Sequence, residues 1–197
     1  PPHDLCRRQL QMCIRDSAKG FEQTSGNLLS DELSKILPEK NLAYLSGPTF
    51  AAEVIKGFPS AATLAMKDLE DSQRLAQQLS STRFRIYSSS DLVGVQVGGA
   101  VKNVLAIASG MAKGAGFGEN SQAALITRGL SEMRRLAEAL GGYSETLSGL
   151  SGLGDVLLSC SSRQSRNFLF GELLGNGNDK HIACLLYTSD AADDTSR

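Results

Sequence analysis

"DLVGVQVGGAVKNVLAIASGMAKG", residues 91–114, decides the fold, because strand-like runs stop before it and helical patterns follow it. It holds no proline and no carboxylate beyond Asp91. It reads as one long helical stretch of mostly small and aliphatic residues, although the valines leave a helix-or-strand ambiguity at its start. Lys102 sits in its middle, with Gly98, Gly99, Leu105 and Ala106 as its helical neighbours and no carboxylate among them. Such an ammonium either lays its stem along apolar surface with the head in water or pairs with a carboxylate from another helix. Alternatively, it is partly desolvated and poised to exchange protons. The two glycines leave room for something to approach one turn from the amine.

Upstream, "LAYLSGP" (42–48), "SAATLAM" (60–66) and "FRIYSS" (84–89) read as strands. Between them, "TFAAEVIKG" reads as a short helix stopped by Gly57, and "DLEDSQRLAQQLSS" (68–81) as a helix capped by Asp68. Downstream, "NSQAALITRGLSEMRRLAEALGG" opens on Asn120 as a cap and closes on Gly141, with an apolar stripe of Ile126, Leu130, Met133, Ala137 and Leu140. "SRNFLFGELLGNG" reads as a last helix capped by Ser165 and ended by Gly175. The fold class is therefore α/β followed by all-α, with the break near residue 90.

The chain has 197 residues, 41% of them hydrophobic, and a formal net charge of −1, which supplies no basic surface for nucleic acid. No run of about eighteen apolar residues predicts a membrane span, and no signal-peptide pattern is present, so a cytoplasmic setting is expected. Cys6, Cys13, Cys160 and Cys184 form no C-x-x-C pair, and His3 and His181 are terminal, so no metal site is expected. Residues 1–17 and 181–197 lack helical or strand period and are set aside as non-native tails. With no histidine between the ends, proton transfer in the body falls to Lys, Asp, Glu, Tyr or Cys.

Four further stretches carry chemistry. In "GLSGLGDVLLSC" (149–160), Asp155 either caps the following helix or faces Lys102 and holds the ammonium. In "RQSRNFLF" (163–170), a helix start with free N–H groups, Ser165, Arg166 and Asn167 suit an anion such as phosphate. "LSGPTFA" (45–51) puts Gly47 after a strand, where ligands of α/β sheets bind, and "AKGFE" (18–22) places Lys19 in a similar context. The inventory suits a small phosphorylated substrate and a proton transfer without metal.

In order and spacing, "AKGFE", "LSGPTFAAEV", "VQVGGAVKNVLAIASGM", "NSQAALITRGLSEM", "GLSGLGDVLLSC" and "SRNFLFGELLG" resemble the bacterial-type NAD(P)-dependent glycerol-3-phosphate dehydrogenases from about Ala18 to Gly177. The resemblance implies reversible reduction of dihydroxyacetone phosphate to sn-glycerol 3-phosphate by NADH or NADPH, feeding glycerophospholipid synthesis. It implies the second part of a Rossmann-like domain over residues 18–90, then a helical substrate-binding domain over 91–180, similar to the C-terminal domain of 6-phosphogluconate dehydrogenase. Carried over, the catalytic set is Lys102 as proton donor and acceptor, with Asp155 and Asn103. Lys19, Gly47, Thr49, Ser165, Arg166 and Asn167 join Lys102 and Asp155 at the substrate, while Lys19, Ala51 and Arg166 reach the cofactor. A homodimer is compatible with the resemblance.

Two residues depart mildly from the family pattern, Gln96 for a glutamate and Ser159 for a threonine. The G-x-G-x-x-G turn that cradles a dinucleotide pyrophosphate does not occur, so the 197-residue chain is expected to bind dinucleotide poorly and to show little activity. A related hydroxyacid dehydrogenase and a catalytically silent helical interaction module are the competing readings.

Overall fold

The computed structural model describes residues 20–22, 24–38 and 41–179. Lys19 and the two tails expected to be non-native lie outside the described residues.

The elements run α1 (Leu29–Ile36), β1 (Ala43–Ser46), α2 (Ala51–Ile55), β2 (Ser60–Met66), α3 (Leu69–Leu79) and β3 (Phe84–Ser89). Then come α4 (Leu92–Gly114), α5 (Glu119–Ala139), a 3-10 turn (Ser144–Ser148), a π turn (Leu150–Gly154), α6 (Asp155–Ser161) and α7 (Arg166–Gly175). The sheet order is β1-β2-β3, with β1 antiparallel and β3 parallel to the central strand. Helix α3 makes the crossover that a parallel β2–β3 pair needs. Asp68 caps it as expected, its carboxylate accepting from Asp71 N at 2.9 Å. Helix α1 has no counterpart in the sequence reading.

The break into all-helical structure falls at Asp91. Its carboxylate caps α4 by accepting from Gly94 N at 2.8 Å and also takes Tyr143 N at 3.0 Å, tying the chain after α5 back to the start of α4. Gln96 fastens α1 to α4: its buried amide oxygen accepts from Ser30 N, and its nitrogen donates to Leu92 O, both at 2.9 Å. A glutamate there could accept but not donate.

Helix α4 is long and apolar enough to cross a membrane by composition alone. Here it serves as the core helix, with Val97 and Ala106 packed among Met133, Ala137, Leu147, Val156 and Cys160 from the elements around it. Its crossing with α7 is set by glycines on both helices. A methyl group added at Gly110 would lie 2.0 Å from Phe168 O, and one at Gly171 would lie 2.1 Å from Ile107 O. Gly114 and Gly175 repeat the arrangement one turn on, against Glu172 O and Met111 O at 2.2 Å each. The backbones can touch only because these residues carry no side chain.

Three local expectations are corrected. Helix α5 starts at Glu119 behind an extended Gly118, not at Asn120, because Glu119 itself occupies the first turn and pairs with Lys113 at 2.6 Å. Leu140 leaves the apolar stripe, since Gly141 turns left-handed (φ +87°) and ends the helix, leaving Leu140 44% exposed. Asp155 does not cap α6: the π turn feeds directly into that helix, Asp155 is already helical, and its side chain is engaged elsewhere.

Candidate active site

Helices α4 and α6 lie against each other so that Lys102 and Asp155, far apart in sequence, meet. Lys102 Nζ donates to Asp155 Oδ1 at 2.5 Å and to Ser159 Oγ at 3.2 Å. Ser159, one turn after Asp155, donates to the same carboxylate oxygen at 3.4 Å, closing a triangle. The carboxyl side chain is 2% exposed and the lysine side chain 13%. The carboxylate from a neighbouring helix, one of the readings open for Lys102, is present, and the contact is a charge-assisted hydrogen bond. Behind the pair lies Cys160, whose thiol burial pushes up to about 12, so it stays a neutral neighbour.

The space beside Lys102 is filled differently from the expectation. A methyl group at Gly98 would lie 2.1 Å from Ser151 O, so the π turn takes the room left by that glycine. That contact seats the turn which delivers Asp155. Gly152 is equally tight, 2.1 Å from Leu147 O. Gly47 is likewise required by the fold, its added methyl group falling 2.9 Å from Ala62 Cα on the neighbouring strand.

The loop after β1 reaches this turn. Ser151 Oγ donates to Ser46 O at 3.2 Å, and the space beside Gly154 is bounded by Pro48. Gly47 is buried, Thr49 Oγ1 donates to Gly47 O at 3.3 Å, and Ala51 opens α2 in an exposed position. On the other side, Ser165 caps α7 by accepting from Phe168 N at 3.4 Å. Arg166 is the exposed first residue of that helix, and Asn167 Nδ2 donates to Asn103 Oδ1 at 3.0 Å. That amide pair joins the first turn of α7 to the residue beside Lys102. The structure thus brings together Lys102, Asp155 and Ser159, and separately Asn103 with Asn167. Ser159 was legible only as a departure from a pattern, although its four-residue spacing from Asp155 was the available signal. Among the described residues no cluster of His, Cys, Asp and Glu could hold a metal ion.

A small α/β unit lies against a helical domain, with a lysine–carboxylate pair buried near their junction, an arrangement of a partial Rossmann-like unit followed by a helical domain. The NAD-dependent glycerol-3-phosphate dehydrogenase N-terminus model matches residues 6–72, and the C-terminus model of the same family matches residues 91–188. The glycerol-3-phosphate dehydrogenase [NAD(P)+] of Brucella ovis is 53% identical over 162 residues, covering 82% of this chain and 50% of the relative. That of Rhizobium etli is 55% identical over 160 residues, covering 81% and 49%. The crystal structure of glycerol-3-phosphate dehydrogenase from Coxiella burnetii superposes with a TM-score of 0.81 at 42% identity, over 90% of this chain and 57% of that one. The enzyme from Saccharomyces cerevisiae gives 0.75 at 27% identity, over 84% and 50%. The chain belongs to the NAD-dependent glycerol-3-phosphate dehydrogenase family, and it spans about half the length of the curated relatives it matches.

Proposed function

We propose that this chain carries the substrate half of an NAD(P)-dependent glycerol-3-phosphate dehydrogenase, interconverting dihydroxyacetone phosphate and sn-glycerol 3-phosphate in the cytoplasm. The observation that carries the reading is the Lys102–Asp155–Ser159 triangle, a buried ammonium fixed by a carboxylate and a hydroxyl.

The residues present fit one side of a dinucleotide only. Ala51 and Arg166 offer an exposed edge, but no G-x-G-x-x-G turn occurs in the 197 residues to cradle the pyrophosphate. When bound, the dinucleotide supplies the hydride. Lys102 donates a hydrogen bond, then a proton, to the carbonyl oxygen as negative charge grows there, and takes the proton back in the reverse direction. Asp155 and Ser159 hold the ammonium in place. The start of α7, with Arg166, Asn167 and the positive end of the helix dipole, binds the phosphate and so orients the carbonyl. Asn103 keeps that helix start in register with Lys102. Lys19, Gly47 and Thr49 complete the proposed substrate contacts.

The test joins this chain to the amino-terminal half of the Brucella relative and follows NADH or NADPH oxidation with dihydroxyacetone phosphate. Saturable turnover is expected, and Lys102→Met should lower kcat by about 10²–10⁴-fold. Turnover within a few-fold of the parent in that variant refutes the assignment. The 197-residue chain alone should gain thermal stability with glycerol 3-phosphate, whereas a silent interaction module would gain none.

A further inference from the structure

The loop between α6 and α7 is tied in three directions. Ser165 caps α7. Arg163 Nε lies 2.9 Å from Glu172 Oε2, a carboxylate oxygen sheathed from solvent, and so holds the loop against its own helix. Gln164, between them, reaches out of the helical domain: its Nε2 donates to Glu53 Oε1 on α2 at 3.4 Å. Both partners are anchored through their backbones. Gln164 N donates to Ser162 Oγ at 3.2 Å, and Glu53 N donates to Phe50 O at 3.0 Å.

The placement gives this bond its meaning. Glu53 lies two residues after Ala51, and Gln164 two residues before Arg166. The bond therefore spans the two lips on which the proposed function places the dinucleotide and the phosphate. The buried Ser151–Ser46 bond also crosses from the helical domain to the α/β unit. The buried contact lies where the two units meet, and the exposed one bridges the two lips.

We propose that Glu53 and Gln164 form a latch across the domain junction, acting as positioning residues that set the separation of α2 from the start of α7. The latch rests on geometry alone, while the identity of what lies between its arms rests on the proposed function. Its physical content is an acceptor oxygen on residue 53 and an amide donor on residue 164. Charge on residue 53 is incidental.

Amide hydrogen exchange on the 197-residue chain tests the coupling without any activity. Glu53→Ala is expected to speed exchange in residues 162–167 by about fivefold, and Gln164→Ala to do the same in residues 47–55. Glu53→Gln keeps an acceptor oxygen and should retain the parent's protection. Effects confined to the mutated segment overturn the latch, as does Glu53→Gln behaving like Glu53→Ala. In the chain joined to the Brucella half, each alanine variant should raise the dinucleotide KM by about fivefold with kcat within twofold, and the double variant should be no worse than either single. Unchanged KM values would remove the positioning role. If the joined protein shows no turnover, the proposed function fails, while hydrogen exchange still decides the latch.

Discussion

Replacing Lys102 by methionine should unfold this domain more easily, quite apart from any effect on catalysis. Methionine keeps the length and apolar contacts of the lysine stem but removes the ammonium 2.5 Å from Asp155, whose side chain is 2% exposed. Breaking a buried pair by removing one member costs about 3–5 kcal/mol, because the remaining charge stays in the interior. Lys102 is itself 13% exposed, so the lower end applies, about 3 kcal/mol. For a chain of this size each kcal/mol moves Tm by about 2–4 °C, giving a fall of about 6–12 °C. Removing both charges should behave differently: Lys102→Met with Asp155→Leu leaves no stranded ion and should return to within about 1 kcal/mol of the parent. Urea unfolding followed by circular dichroism measures all four corners of the cycle, with an unchanged m-value as the check on two-state behaviour. A Lys102→Met variant as stable as the parent would refute the reasoning, and so would a double variant that falls as far as the single. Kinetics of Lys102→Met must accordingly be recorded below its own melting temperature.

Further outcomes follow from the packing. Gly110→Ala gains about 1 kcal/mol of helix propensity, but its methyl group would lie 2.0 Å from Phe168 O, so helix α7 must shift and the net loss should be about 2 kcal/mol by thermal denaturation. Gly118→Ala meets no atom within 4 Å and should cost less than about 1 kcal/mol in the same assay. Gln96→Leu strands the buried Ser30 N–H and should cost about 1–3 kcal/mol in urea unfolding. Because folding raises the Cys160 thiol to about 12 from 9.0, the unfolded chain gives up that proton first. The stability this group contributes is whole below pH 9 and is lost as pH rises toward 12, and Cys160→Ala should remove that share of the alkaline decline in urea midpoint.

Most of the architecture was legible because periodicity and punctuation are local. The three strands, the Asp68 and Ser165 caps and the break near residue 90 all come from signals within a few residues. What was hidden is set by tertiary contact. Asp155 carries the composition of a cap, yet the π turn before it supplies helical backbone and removes the need for one. Gly98 leaves room for something to approach, and what approaches is Ser151 O from a turn more than fifty residues away. Helix α1 went unread, and the buried Gln96 amide that receives its Ser30 N lies on a helix far along the chain. The site itself was legible in part: Lys102 stood out as a charge on an apolar face, and Asp155 facing it was one of two readings of its stretch, which only the tertiary contact decides.

The glycines of α4 connect these points into one causal chain. Gly110 and Gly114 let α7 approach until backbone meets backbone, and Gly98 does the same for the π turn on the opposite stretch of the helix. The first approach brings Asn167 to Asn103 at 3.0 Å, and the second seats the turn that delivers Asp155 to Lys102. A bulkier residue at any of these positions would move a partner helix by more than the tolerance of a hydrogen bond. The absence of side chains at these glycines of α4 is thus used by the fold itself. It lets two neighbours approach closely enough to place their polar groups beside one lysine, and the chemistry of that lysine depends on those placements.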